Sequence, residues 1–244
     1  MRDSYRWYSS SGSDTSDNWD YCGITEGIHS NLIIVADGTT SSPNGGELAK
    51  TLICSLMAKF QKTTNPPTKT NILRWLKEIH KEIRLTYFAD SASYLVAIPN
   101  PEGQLIIFHA GDCLLGRVIK DTKIQWLIEP HTLVNATKSV PHDDLAHDPD
   151  RNILTRSFRG WKFIEPEFNC IFTTPAEKII IASDGFWADL SRQDQLALIT
   201  ESSEPIDPRD DISFLLFSNN LNEKNIPFLP KTPHPHSQTI LRIR

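Results

Sequence analysis

Two rhythms of apolar side chains run along this chain. The first is a short unbroken run closed by an acid and a glycine. Leu32-Ile33-Ile34-Val35-Ala36 ends in Asp37-Gly38, and Ile179-Ile180-Ile181-Ala182 leads through Ser183 to Asp184-Gly185. Runs of this length bounded by turn residues predict buried strands. The second rhythm is helical. Leu48, Leu52, Leu56 and Phe60 recur every four residues beside Ala49 and Ile53, which predicts a helix over 46–60. After the breaker Asn65-Pro66-Pro67, Ile72, Leu76, Ile79, Ile83 and Tyr87 share one side of a second helix over about 71–88. Its other side carries Lys77, Glu78, Lys81 and Glu82, a solvated face.

Beyond that helix the runs shorten. Residues 94–98, 105–110, 114–119 and 124–128 predict strands joined by tight turns at Asn100-Pro101-Glu102-Gly103 and Lys120-Asp121-Thr122-Lys123. Such a meander predicts an antiparallel sheet. Residues 9–18 are polar and aperiodic and predict a loop that runs into a short strand start at 18–24. Periodicity is lost again from about 131 to 159, where 141–150 is rich in His and Asp. Two prolines and little apolar content there favour a solvated mobile loop over a metal site. A helix is expected over 190–200 and a strand over 212–217, after Asp210-Asp211. Pro227, Pro230, Pro233 and Pro235 mark 218–244 as an extended C-terminal segment. With no internal repeat and no Gly/Ser linker, the simplest organisation is one domain over 1–217 with an irregular insertion at about 131–159.

Composition narrows the function classes. The 244 residues are 39% hydrophobic and 23% charged, ordinary for a soluble globular protein. A net charge of -5 supplies no basic field for nucleic acid or an anionic membrane. Cys22, Cys54, Cys113 and Cys170 are widely spaced beside apolar runs, which predicts reduced thiols rather than disulfides or zinc. No N-terminal apolar signal core is present, and no apolar run approaches the ~20 residues of a membrane span. A soluble cytoplasmic protein is expected.

The chemistry lies in recurring acids. Asp20, Asp37, Asp112, Asp184 and Asp210 all fall at strand boundaries, and three abut glycine: Asp37-Gly38, Gly111-Asp112 and Asp184-Gly185. Aspartate is common in turns, so exposed turn acids are the plain alternative. If the acids converge, their repulsion raises their pKa values or destabilises the fold unless cations are bound. Hard carboxylate and carbonyl oxygens suit Mg2+ or Mn2+. Two such ions about 3.5–4 Å apart can hold a bridging water and clamp a phosphoryl oxygen, with no protein nucleophile. The chain has no GxSxG elbow, HExxH helix or phosphate-binding Gly-x4-Gly-Lys-Ser/Thr loop.

Six short motifs fall in a telling order: Asn18-Trp19-Asp20; Val35-Ala36-Asp37-Gly38 with Gly45-Gly46-Glu47-Leu48-Ala49; His109-Ala110-Gly111-Asp112; Asn152-Ile153-Leu154-Thr155-Arg156; Ala182-Ser183-Asp184-Gly185-Phe186-Trp187; and Arg209-Asp210-Asp211-Ile212-Ser213. Over roughly 16–217 the chain resembles the metal-dependent protein phosphatases (PPM, type 2C), in a short, bacterial-like form. The resemblance implies an α+β fold, a four-layer α/β/β/α sandwich of two antiparallel sheets with helices outside. It implies hydrolysis of protein phosphoserine and phosphothreonine monoesters with Mn2+ or Mg2+, two ions and in bacterial members a weaker third. Carried over by motif, Asp37 bridges the two metals and the Gly38 carbonyl reaches one. Asp184 and Asp210 hold the other, and Asp20 acts mainly through bound water. Asp112 with Asp184 serves the third ion, and 131–159 corresponds to a mobile flap beside the site. The implied partners are a phosphorylated protein substrate and a cognate Ser/Thr kinase, with the chain itself a monomer.

Departures from the pattern matter too. Thr39-Thr40-Ser41-Ser42 follow Asp37-Gly38, so no histidine is available there as general acid. Ala188 stands where a further acid often follows Asp184, with Asp189 one step on, so Asp189 is not counted among the ligands. Arg6 and Arg2 are the N-terminal candidates for binding phosphate. The altered 39–42 loop motivates a second reading, a catalytically weak relative that binds a phosphoprotein or kinase as a regulatory module. A haloacid-dehalogenase-type aspartate nucleophile fails, because Val35 occupies the position that chemistry needs.

Overall fold

A computed structural model describes residues 5–13, 17–100, 102–174, 177–201 and 208–218. The chain runs β1 (Arg6–Ser10), β2 (Asp20–Glu26), β3 (Asn31–Gly38), α1 (Gly45–Gln61), α2 (Lys69–Ile83), β4 (Ser91–Pro99), β5 (Gln104–Ala110), β6 (Leu114–Ile119) and β7 (Lys123–Trp126). It continues through α3 (His142–Leu145), β8 (Phe158–Arg159), β9 (Glu167–Phe172), β10 (Lys178–Ala182), α4 (Asp184–Trp187), α5 (Arg192–Ile199) and β11 (Ile212–Ser218). Two antiparallel sheets result: β1-β11-β10-β6-β7, and β2-β3-β4-β5-β9 with β8 beside β4. The expected 218–244 extension falls, beyond Ser218, outside the described residues, and so does Arg2. Among the described residues no helix is long and apolar enough to cross a membrane.

Strand periodicity explains the layering. In β3, Leu32, Ile34 and Ala36 face α1 and α2, where they pack with Leu48, Leu52, Ile53, Leu56, Ile72 and Leu76. Ile33 and Val35 face the other way, into the cluster shared with Leu115, Ile180 and Phe214 of the opposite sheet. Burial on both faces is why these strands read as unbroken apolar runs. Helices α1 and α2 cover one sheet, and α5 lies against β7 of the other. The four layers implied by the sequence resemblance are therefore present.

Helix ends shift for local reasons. The Thr68 hydroxyl accepts from the Asn71 N–H, and Asn71 Oδ1 accepts from the Thr68 N–H, so α2 begins at Lys69 rather than near 71. It ends at Ile83, before the expected 88. Turns follow, in which the Tyr87 hydroxyl meets Thr51 Oγ1 at 3.1 Å.

The expected single meander is corrected. Strands β4 and β5 pair in one sheet, but β6 and β7 belong to the other. The chain crosses between sheets at Gly111-Asp112-Cys113, with Gly111 at φ +117°. This backbone conformation suits glycine. A Cβ on Gly111 would also fall within the Ser93 side chain. Three strands are additional to the sequence reading: β1, which takes Ser9 and Ser10 out of the expected loop, the two-residue β8 inside the irregular 131–159 stretch, and the edge strand β9. Substituting Gly111→Ala is expected to destabilise the protein by about 1–3 kcal/mol, the usual range for a strained backbone position, read as a lowered Tm in a thermal melt.

Candidate active site

Register brings the sequence-expected acids together. Asp20 and Asp37 are direct cross-strand partners on β2 and β3. By alternation Asp37 shares the inter-sheet face of Ile33 and Val35, and Asp20 that of Cys22 and Ile24. In the other sheet β10 lies between β6 and β11, with Ala182 opposite Leu114 on one side and Phe214 on the other. Asp184 lies just beyond Ala182, Asp112 just before Leu114, and Asp210 just before β11. Aligned strand ends thus place three acids at one end of this sheet, facing the Asp20–Asp37 pair. Gly38 sits against the start of α1, where a Cβ would collide with the backbone of Gly45 and Gly46.

The cluster is buried and self-repelling. Burial, then Asp20, Asp184, Asp112 and Asp210, push the Asp37 carboxyl well above the usual carboxylate range. Asp20 is likewise raised by burial and then by Asp211, against a hydrogen bond from Ser183. Asp112 and Asp210 each rise to about 7, through burial and then Asp184. Hydrogen bonds offset part of this charge. Ser183 Oγ donates to Asp20 Oδ2 at 2.7 Å, and Ser93 Oγ to Asp112 Oδ1 at 2.6 Å. Asn18 Oδ1 accepts from the Asp20 N–H, while its amide donates to Ser9, which meets Ser213. These buried polar side chains tie β1, β2, β10 and β11 together beneath the acids.

Residues 10–222 match the family model described as Protein phosphatase 2C. The chain belongs to the protein phosphatase 2C family. A Streptococcus pyogenes protein described as protein phosphatase 2C-type is 25% identical over 73% of this chain and 76% of its own length. Protein phosphatase PhpP of Streptococcus pneumoniae is 23% identical over 78% of this chain and 80% of its own. The fold is similar to that of the S. agalactiae serine/threonine phosphatase, with a TM-score of 0.74 at 20% identity over 88% of this chain and 98% of that one. The family is metal-dependent, and the residues present fit that requirement. Every side-chain donor in the aspartate cluster is a hard oxygen. Asp20 Oδ1 is buried without a hydrogen-bond partner among the described residues, an orphaned acceptor beside four other acids.

Arg151 and the structural role of Asp211 carry no local signal in the sequence, whereas Trp187 lies in one of its motifs and Thr39 directly follows another. Arg151, in a 3-10 turn at Pro149–Asn152, reaches Asp184 Oδ2 at 3.1 Å and Asp189 Oδ1 at 2.6 Å. The irregular 131–159 segment therefore folds onto the cluster, and Asp189, not counted from sequence, shares its arginine. Asp211 divides labour with Asp210: its carboxylate accepts from the N–H groups of Gly12 and Trp19 and fixes the loop leading to Asp20. Trp187 packs beneath the site and donates its indole N–H to the Asp112 carbonyl at 2.8 Å. Thr39 is held by Ser91, whose hydroxyl donates to Thr39 Oγ1 at 3.0 Å.

Arg6 lies elsewhere. It donates to Glu201 and to the Leu198 carbonyl at the end of α5, so it is occupied away from the acids. A second group, His109, His131 and Glu167, brings possible ligand atoms within 4.8 Å of one another beside the Gly111 crossover. In the sequence His109 falls in the 105–110 strand and in the His109-Ala110-Gly111-Asp112 motif, and no local pattern links it to His131 or Glu167.

In metal-free protein, Asp112 and Asp210 hold protons up to about pH 7 that an unfolded carboxyl releases near 3.8. The fold binds more protons in that window, so stability falls as pH rises from about 4 to 7. Thermal melts of chelator-treated protein at pH 5 and 7.5 should give the lower Tm at 7.5, with saturating Mn2+ restoring it. Substituting Asp37→Asn removes a buried like charge and should raise the metal-free Tm while reducing the stabilisation by Mn2+.

Proposed function

We propose that this chain is a protein serine/threonine phosphatase that hydrolyses phosphoserine and phosphothreonine monoesters with Mn2+ or Mg2+. The observation that carries the reading is the convergence of Asp20, Asp37, Asp112, Asp184 and Asp210 between two sheets, with one buried oxygen of Asp20 unpartnered. When bound, a pair of these ions supplies an activated water for in-line attack on phosphorus and neutralises the phosphoryl charge. Asp37, the Gly38 carbonyl, Asp184 and Asp210 would hold that pair, and Asp20 would act mainly through bound water. Asp112 with Asp184 would serve a weaker third ion.

This chain's own groups do the positioning. Ser183 and Ser93 hold the carboxylates of Asp20 and Asp112 in place. Arg151 offsets charge at Asp184 and Asp189 and keeps the 131–159 segment over the site. No histidine follows Asp37-Gly38, so protonation of the leaving alkoxide falls to solvent in the site, with Thr39 able to orient it. The catalytic domain would span 1–217, with 131–159 as a flap and 218–244 as an extension. It would act in the cytoplasm as a monomer, on a phosphoprotein substrate and opposite a Ser/Thr kinase. Four free cysteines suit a reducing compartment. Nothing in the site favours the regulatory-module reading, since all the expected acids converge.

Hydrolysis of p-nitrophenyl phosphate should require added Mn2+ or Mg2+ and be abolished by chelator. Asp37→Asn and Asp184→Asn should each lower kcat by more than about 100-fold, beyond what outer-shell partners alone cost. Metal-independent turnover that survives both substitutions would overturn the assignment.

A further inference from the structure

The crossover residue Gly111 has left β5 and not yet joined β6, so neither of its backbone polar groups has a ladder partner. Both go to one residue. The Gly111 carbonyl accepts from the His131 N–H at 2.9 Å, and the Gly111 N–H donates to His131 Nδ1 at 3.2 Å. The His131 ring is held in turn. Its Nε2 lies 3.1 Å from Glu167 Oε2, and it stacks on His109 with ring centroids 4.5 Å apart. Glu167 is itself oriented by the Asn169 amide, which donates to Oε1 at 3.1 Å. The His131 carbonyl accepts from both the N–H and the hydroxyl of Thr155, closing the base of the 131–159 segment.

We propose that His131 is a positioning residue, steered by Glu167, that fixes the Gly111-Asp112 turn and with it the Asp112 carboxylate. The reading rests on the proposed metal-dependent phosphatase site only for its metal-binding arm. Hydrogen-bond roles assign the tautomer. Because Nδ1 accepts from the Gly111 N–H, the ring proton sits on Nε2 and is donated to Glu167. Burial and the neighbouring His109 push the His131 pKa down to about 4, which keeps the ring neutral. The neighbouring His109 ring, with hydrogen bonds from Asn169 and His131, holds Glu167 well below the usual carboxylate range, so it remains an anionic acceptor. The same assignment argues against a metal ion between His109, His131 and Glu167. Such an ion would need the Nε2 lone pair and would turn Nδ1 into a donor facing the Gly111 N–H.

Two substitutions separate the two ring nitrogens. His131→Asn keeps an acceptor oxygen near the Nδ1 position but cannot reach Glu167, whereas His131→Gln reaches toward Glu167 and removes the acceptor. On full-length, metal-stripped protein, amide hydrogen exchange at Gly111 and Asp112, Mn2+ calorimetry and a thermal melt are measured together. His131→Gln should lose Gly111 protection and weaken the weakest Mn2+ step by about 10- to 100-fold, the range for outer-shell partners. His131→Asn should keep the protection and stay within about threefold of wild type in that step, and Glu167→Gln, which retains an acceptor, should behave like it. The proposal is overturned if Asn and Gln behave alike in exchange, or if the weakest Mn2+ step stays put when Gly111 protection is lost. It is also overturned if Asp37→Asn protein binds one Zn2+ that His131→Asn abolishes. Wild-type protein that binds no Mn2+ at all would sink the phosphatase reading instead, while the exchange pattern still supports the clamp on the turn.

Discussion

Buried like charge is the constraint on which this structure turns. Five aspartates meet in the gap between two apolar sheets, and burial with mutual repulsion drives Asp20, Asp37, Asp112 and Asp210 toward their protonated forms. Such a cluster opposes folding unless something neutralises it. Serine hydroxyls at Asp20 and Asp112 and the Arg151 guanidinium at Asp184 offset only part of the charge. The remaining deficit is a demand for cations, so an arrangement that is poor for stability is suited to holding divalent ions.

The same constraint explains why the sheets are cut where they are. Splitting the β4–β7 run between two sheets sends the chain through Gly111 and leaves Asp112 at the crossover, beside Asp37 at the end of β3 and Asp184 at the start of α4. Ser93, Trp187 and His131 converge on that turn from three different parts of the chain. Their contacts serve folding and the site together, because a turn unsupported by a strand ladder would let its carboxylate drift.

Around the acids the chain separates roles between neighbours of identical chemistry. Asp210 faces the cluster, while Asp211 caps the backbone of Gly12 and Trp19 and so anchors the approach to Asp20. Asp184 and Asp189 share Arg151, which couples the irregular 131–159 segment to the site by a partly buried ion pair. Exposed pairs elsewhere, such as Arg74–Glu78 on α2, carry little weight beside it.

By itself the sequence determined the strands closed by Asp37-Gly38 and Asp184-Gly185, the two helices that follow the first of them, and the set of acids at strand ends. These are local signals: a period of two or 3.6 and a turn residue are written within a dozen neighbouring positions. Strands β1 and β9 escaped because a half-exposed edge strand needs no unbroken apolar run. Tertiary structure alone decided which strands share a sheet, that Arg151 and not Arg6 attends the acids, that Asp211 is structural, and that His131 reaches Gly111. The side-chain contacts among these join partners 20 to 199 positions apart. Strand pairing and side-chain contacts over such distances are fixed by packing in three dimensions, and no local pattern encodes them.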